Sequence, residues 1–272
     1  MQMLLSTKFE HTAEQLDKMQ ELRHLVESAN ELDISADDIL LSKFLTFTGW
    51  QVERAYGALN RYYDFKLHNP DWLAHHEVHY FRDHFYQTLS KYIMPKPDKD
   101  GRVIFVSKTV DAFKTFPNYM YDIIEMDDLI FESLLLLPQA QKYGITVISD
   151  LSGTNKRFLR FASPAMAKMV NAKNDVMPFT SRIVHVIQKG MFLNATTNLM
   201  MSFASKEFKD RIHIHDGKNF DKLRNMVGYE NLPAEYGGPK ENELDVNILY
   251  EHLLRHSAYL SKLQNYKRKF AN

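Results

Sequence analysis

From residue 13 onward, apolar side chains return every three or four positions. Ala13, Leu16, Met19, Leu22, Val26 and Ala29 fit one face of a helix. Ser35 followed by Asp38 predicts a capping box that opens a second helix carrying Ile39, Leu40, Phe44 and Leu45. Gly49 breaks that helix. A third carries Val52, Ala55, Tyr56, Leu59, Tyr62 and Tyr63 and stops at Asn69-Pro70. A shorter helix is predicted over 79–92. The turn-rich stretch 95–101, with two prolines and a glycine, reads as a linker.

Beyond it the period shortens. Apolar β-type runs at 103–106, 145–148, 183–187 and 212–214 alternate with helical stretches at 119–137 and from Ser163-Pro164 through Ala172. Strands separated by helices predict parallel pairing through right-handed crossovers, an α/β fold with a mostly parallel sheet. The segment 246–269 is amphipathic and ends in Lys267, Arg268 and Lys269, read as a solvated helix end.

One helical segment breaks the amphipathic rule. Over 191–205, Phe192, Leu199 and Phe203 point one way on a helical wheel, while Met191, Ala195 and Met201 point others. A helix apolar on several sides is buried in a core, or meets apolar matter on two sides. Both readings stand on pattern alone.

Composition narrows the function classes. Lys and Arg number 34 and Asp and Glu 34, so the net charge is zero. Duplex binding depends on phosphate contacts and favours a basic excess, so nucleic acid is not the expected partner. The chain has no cysteine, which removes disulfides, thiolate nucleophiles and cysteine–zinc sites. No apolar run approaches the ~18 residues of a membrane span. The first residues turn polar too early for a secretion signal, so a cytoplasmic location is expected. The 13 Met and 18 Phe suit irregular apolar space.

Catalytic motifs are scarce. No glycine-rich phosphate loop, nucleophile elbow or HExxH is present. Asp150-Leu-Ser-Gly-Thr154 is close to the DxDGT of haloacid dehalogenase-type phosphatases, but Ser152 replaces the general acid. A strand-end turn is the simpler reading. His75, His76, His79 and His84 cluster, and His213 and His215 would share a strand face, yet neither group completes a metal site. Glu125, Asp127 and Asp128 read as a solvated helix face.

A set of ordered motifs gives a family resemblance. Asp38-Ile-Leu-Leu-Ser-Lys-Phe-Leu45, Val52-Glu-Arg-Ala55 and Tyr62-Tyr-Asp-Phe65 come first. Asp150-Leu-Ser-Gly153, Arg182-Ile-Val-His185, Arg211-Ile-His213 and Asn231-Leu-Pro-Ala-Glu-Tyr-Gly-Gly238 follow. Together they resemble the CRAL-TRIO family, which includes tocopherol and retinaldehyde carriers. The resemblance implies a helical region over 1–75, a lipid-binding domain over 76–240 with a mobile lid helix, and a C-terminal helix over 241–272. It implies a carrier rather than an enzyme, with no cofactor. The expected partners are one hydrophobic ligand (tocopherol-, retinoid- or carotenoid-like) and a transient membrane surface with its phosphoinositides. The lid falls on 191–205. The ligand-lining positions are Ile124, Phe131, Ile145, Val147, Ser149, Val170, Met177, Phe179 and Val184, with Leu193, Leu199, Met200 and Phe203 from the lid. Arg182 and Arg211 match a basic surface cleft that holds phosphoinositides in tocopherol-carrying members, but Thr180 and Glu207 replace its other two cations. Phe179 stands where phosphatidylinositol carriers have an acid, although Lys222 matches their lysine. A phosphohydrolase using Asp150 and a lipid-sensing interaction module are the alternative readings.

Overall fold

The computed structural model describes residues 9–108, 119–152, 163–188, 197–199 and 201–269. Three helices come first: α1 (Ala13–Ala29), α2 (Asp38–Phe47) and α3 (Val52–His68). Thr12 and Gln15 close a reciprocal capping box on α1. The cap of α2 is Asp37, not Ser35. Its carboxylate accepts from Leu40 N at 3.0 Å and also from Tyr259 OH at 2.6 Å. A charged acceptor at a helix N-terminus meets the orphan amides and the dipole together. Leu40, Leu41, Phe44 and Leu45 of α2 are fully buried, and such side chains contribute roughly 1.5–3 kcal/mol each.

The helix predicted over 79–92 is shorter. A 3-10 turn (Val78–Phe81) leads into α4 (Arg82–Thr88), and Leu89 ends it in the left-handed region at φ 47. The chain then enters the sheet as β2 (Lys91–Ile93), paired antiparallel with β3 (Val103–Lys108). The stretch 95–101 is therefore a hairpin turn, not a linker. Asp98 is buried there and accepts from Arg102 N, Arg102 Nε and Thr146 Oγ1.

The remaining strands, β4 (Ile145–Asp150), β5 (Arg182–Ile187) and β6 (Ile212–His215), pair parallel, giving the order β2-β3-β4-β5-β6. Phe105, Val147, Val184 and Ile212 lie abreast. Gly144 permits the close approach of β4 and β5. Its φ is +86, and a Cβ there would stand 1.9 Å from Ser181 O.

Helices α5 (Tyr119–Leu134) and α6 (Pro138–Tyr143) connect β3 to β4; α7 (Pro164–Val176) precedes β5. Ser163 caps α7 by accepting from Met166 N, as its Ser-Pro start predicts. After α8 (Lys206–Lys209), β6 and α9 (Asp221–Val227), the predicted single helix over 246–269 is three elements. These are α10 (Val246–Arg255), α11 (Ser257–Asn265) and a strand β7 (Lys267–Arg268), antiparallel to β1 (Leu32–Asp33). The terminal cations are thus not a solvated helix end. Arg268 meets Glu31 at 2.9 Å and Asp64 at 3.1 Å.

The acidic residues of α5 are not a solvated face either. Glu125 accepts from His75 N and His76 N, Asp128 accepts from Ala74 N and pairs with Lys173, and Glu132 pairs with Lys43. Each sits where α5 meets another segment, and the partner keeps the charge satisfied.

Candidate functional site

Alternation gives the sheet two unlike faces. One carries polar ties, with Ile183 and His213 on it half-buried. Thr146 bonds Asp98, His185 Nδ1 lies 3.0 Å from His215 Nε2, and Tyr236 OH donates to Asp150 at 2.9 Å. Burial pushes His185 down to about 3 and His215 to about 4, helped by neighbouring charge. Both rings are neutral at pH 7. Among the described residues no group of three metal-ligating side chains forms a metal site. Asp150 also accepts from Ser152 N at 2.7 Å, so its carboxylate is held as a strand-end cap.

The other face carries Phe105, Ser107, Ile145, Val147, Ser149, Arg182, Val184, Val186, Ile212 and Ile214, by register. Its β2–β3 end is roofed by α5. Phe131 packs edge-on to Phe105 with ring centres 5.6 Å apart. Lys91 Nζ donates to Asp127 Oδ1 at 2.6 Å and Ser107 Oγ at 2.9 Å. Toward β6 the cover thins. Val184 and Ile212 are half-buried, and Ile214 is 39 % exposed. An apolar sheet face that grows more accessible toward one edge is what a bound hydrophobe would cover.

The expected lining residues distribute around this face. Val147, Ser149 and Val184 lie on it, and Ile145 lies fully buried at its start. Ile124, Asp127 and Phe131 recur at three and four residues on α5 and are all half-buried. Phe179 packs edge-on to Phe131, Met177 is buried beside it in the turn before β5, and Val170 is half-buried on α7. Leu199 and Phe203 are half-buried, and Lys168 of α7 sits 5.5 Å from the Phe203 ring centre. Leu193 and Met200 lie outside the described residues, as do the other positions of 191–196 in the expected lid. Sequence reasoning missed Phe105, Val186 and Ile212, which strand register supplies once the pairing is known.

The two arginines separate. Arg211 is exposed before β6, but Arg182 is only 6 % exposed. As the first residue of β5 it shares the face of Val184, so its side chain turns inward rather than to a surface cleft. Its Cζ lies 4.8 Å from the Phe179 ring centre and 5.2 Å from that of Phe131. Nη1 donates to Asn174 Oδ1, while Nε and Nη2 are buried without a partner. Burial pushes the guanidinium down to about 10, against the opposing charge of Asp175. Lys222, the other cation singled out by pattern, is exposed on α9; its charge lies behind the sheet, where it helps depress His213 and His215.

A small cleft of about 40 Å³ lies elsewhere, between α3, α5 and α11, lined by Tyr62, Lys66, Asp128 and Glu132 among others. It has room for a water or two and none for a lipid.

With this geometry fixed, comparison with known proteins gives the family. The model of the CRAL/TRIO domain matches residues 87–238, more than half of the chain. The chain belongs to the CRAL/TRIO domain family. Clavesin-2 of Homo sapiens is 22 % identical over 228 residues, covering 81 % of this chain and 68 % of that protein. The phosphatidylinositol/phosphatidylcholine transfer protein SFH4 of Arabidopsis thaliana is 25 % identical over 153 residues, 52 % of this chain and 25 % of that protein. The crystal structure of Sfh5 superposes with a TM-score of 0.57 at 13 % identity, covering 93 % of this chain and 99 % of that one; this likeness is of fold. The CRAL/TRIO match spans β2 through β6, the sheet that carries the half-buried face. No helix among the described residues is long and apolar enough to cross a membrane.

Proposed function

We propose that this protein carries one hydrophobic small molecule against the half-buried face of its sheet and exchanges it at membranes. The observation that carries the reading is the asymmetry of the sheet. One face carries paired polar groups at Thr146, Asp150, His185 and His215, while the other is apolar toward β6, with Val184 and Ile212 half-buried and Ile214 exposed. A tocopherol-, retinoid- or carotenoid-like molecule suits such a face, gaining ~25 cal/mol for each Å² of apolar surface removed from water. A relative named as a phosphatidylinositol/phosphatidylcholine transfer protein supports the carrier class. The segment 191–205 acts as the lid, with Phe203 and Leu199 turned to the cargo. Arg211 is the cation that meets an anionic headgroup at the membrane. The reading requires no bond-making step.

Organic extraction of the purified protein followed by mass spectrometry tests this, together with transfer of a fluorescent lipid between vesicles. One hydrophobe per chain and transfer lost in Phe203→Asp are expected. A lipid screen that finds no bound or exchangeable hydrophobe overturns the proposal.

A further inference from the structure

Arg182 has a feature that a carrier of neutral cargo does not explain. The other cation near this face, Lys91, is neutralised by Asp127 and bonded to Ser107. Arg182 is as deeply buried, yet it forms no ion pair among the described residues. Asp175 is the acid whose charge reaches it, but from beyond salt-bridge distance. Of its three nitrogens, Nη1 is taken by Asn174, and the two without partners are Nε and Nη2. Those two carry parallel N–H bonds along one edge of the guanidinium, the edge that grips a carboxylate with two hydrogen bonds. Phe131 and Phe179, edge-on to each other, lie on adjacent sides of the guanidinium and give it an aromatic wall. Val184 follows on the same strand face.

We infer that Arg182 is the recognition point for the ionised carboxyl group of an amphipathic ligand, a long-chain or isoprenoid acid whose hydrocarbon lies along Val147, Val184 and Ile212. This deepens the carrier reading and rests on it. One negative charge matches one unpaired cation. A phosphate monoester would bring close to two charges, and Asp175 repels the second. Phe131, Phe179 and Val184 border the guanidinium, and a carboxylate that reaches it along this side arrives on an apolar tail.

The test compares acids with their methyl esters on the full chain. Radiolabelled oleic and retinoic acids, and the corresponding esters, are partitioned between protein and a hydrophobic resin at pH 8. The acids are expected to bind about 10- to 100-fold more tightly, the range set by a charge-assisted hydrogen-bond pair. Arg182→Met should bring acid and ester together while keeping ester binding, and Arg182→Lys should keep part of the preference. The wild-type ratio needs no variant, so a misfolded mutant does not remove the test. Equal binding of acid and ester by the wild type overturns the anchor and leaves the carrier standing. Lysophosphatidic acid binding more tightly than the acids, or inorganic phosphate displacing them, overturns the carboxylate assignment. If neither acid nor ester binds, the carrier reading falls with it.

Discussion

Lys43 Nζ lies 3.0 Å from Glu132 Oε2, with the two side chains only 1 % and 8 % exposed. The pair joins α2 to α5, and Tyr62 OH donates to the other carboxylate oxygen. Burial alone would raise the Glu132 carboxyl, but the Lys43 charge and the Tyr62 bond outweigh it and hold the group below its ordinary 4.5. Removing one partner strands the other in the interior. Lys43→Met should cost about 3–5 kcal/mol in urea unfolding, and the double variant Lys43→Met/Glu132→Leu should recover most of it. The depressed carboxyl gives stability that is present above pH 4.5 and lost as pH falls through the folded value. If the double variant is as unstable as the single, the pair is not the cause.

The His185–His215 contact predicts a second acid-sensitive component. Their folded values of about 3 and about 4 lie below the ordinary 6.5. Between pH 6.5 and 4 the unfolded chain binds protons that the folded chain refuses, so this contribution is whole above 6.5 and declines as pH falls. His185→Leu/His215→Leu should flatten the stability profile over that window. An unchanged slope would show that the rings titrate normally in the fold.

Gly144 should not tolerate a side chain. Both its φ of +86 and the closeness of Ser181 O oppose one. Gly144→Ala should lose at least about 1–3 kcal/mol from backbone strain alone, read as a lower thermal midpoint. A neutral substitution would mean that β4 and β5 can part without cost.

Asp150 separates the carrier from a phosphohydrolase. Tyr236→Phe should remove about 1.5–3 kcal/mol, the worth of a hydrogen bond to a charged group. Neither the parent nor Asp150→Asn should hydrolyse p-nitrophenyl phosphate. Turnover by the parent that Asp150→Asn abolishes would restore the enzyme reading.

Much of this fold was legible because period carries it. Helical recurrence marked α1 and α3 to within a few residues, and the apolar runs marked β3 to β6 and their parallel pairing. The failures have local causes. Ser35 lost the cap to Asp37 because Asp37 also receives a bond from Tyr259, 222 residues away. β2 is three residues long and carries a lysine, so nothing in its pattern announces a strand until Asp127 neutralises it. That the strand residues expected to line a ligand share one face follows from alternation, while which face it is came from the family resemblance. The inward turn of Arg182 follows from the same alternation, but an arginine at a strand start reads as surface until the strand's face is known.

The β1–β7 ribbon has a consequence for how the molecule can be cut. It ties Leu32 and Asp33 to Arg268 and Lys267, while Tyr259 and Lys262 reach Asp37 and Lys66 reaches Leu263 O. Residues 259–268 therefore belong spatially to the opening helices, although some two hundred positions separate them along the chain. A single break between the exposed Lys240 and Glu241 would leave two polypeptides held by this non-covalent seam. Co-expressed as separate fragments, they should find each other and reconstitute the fold.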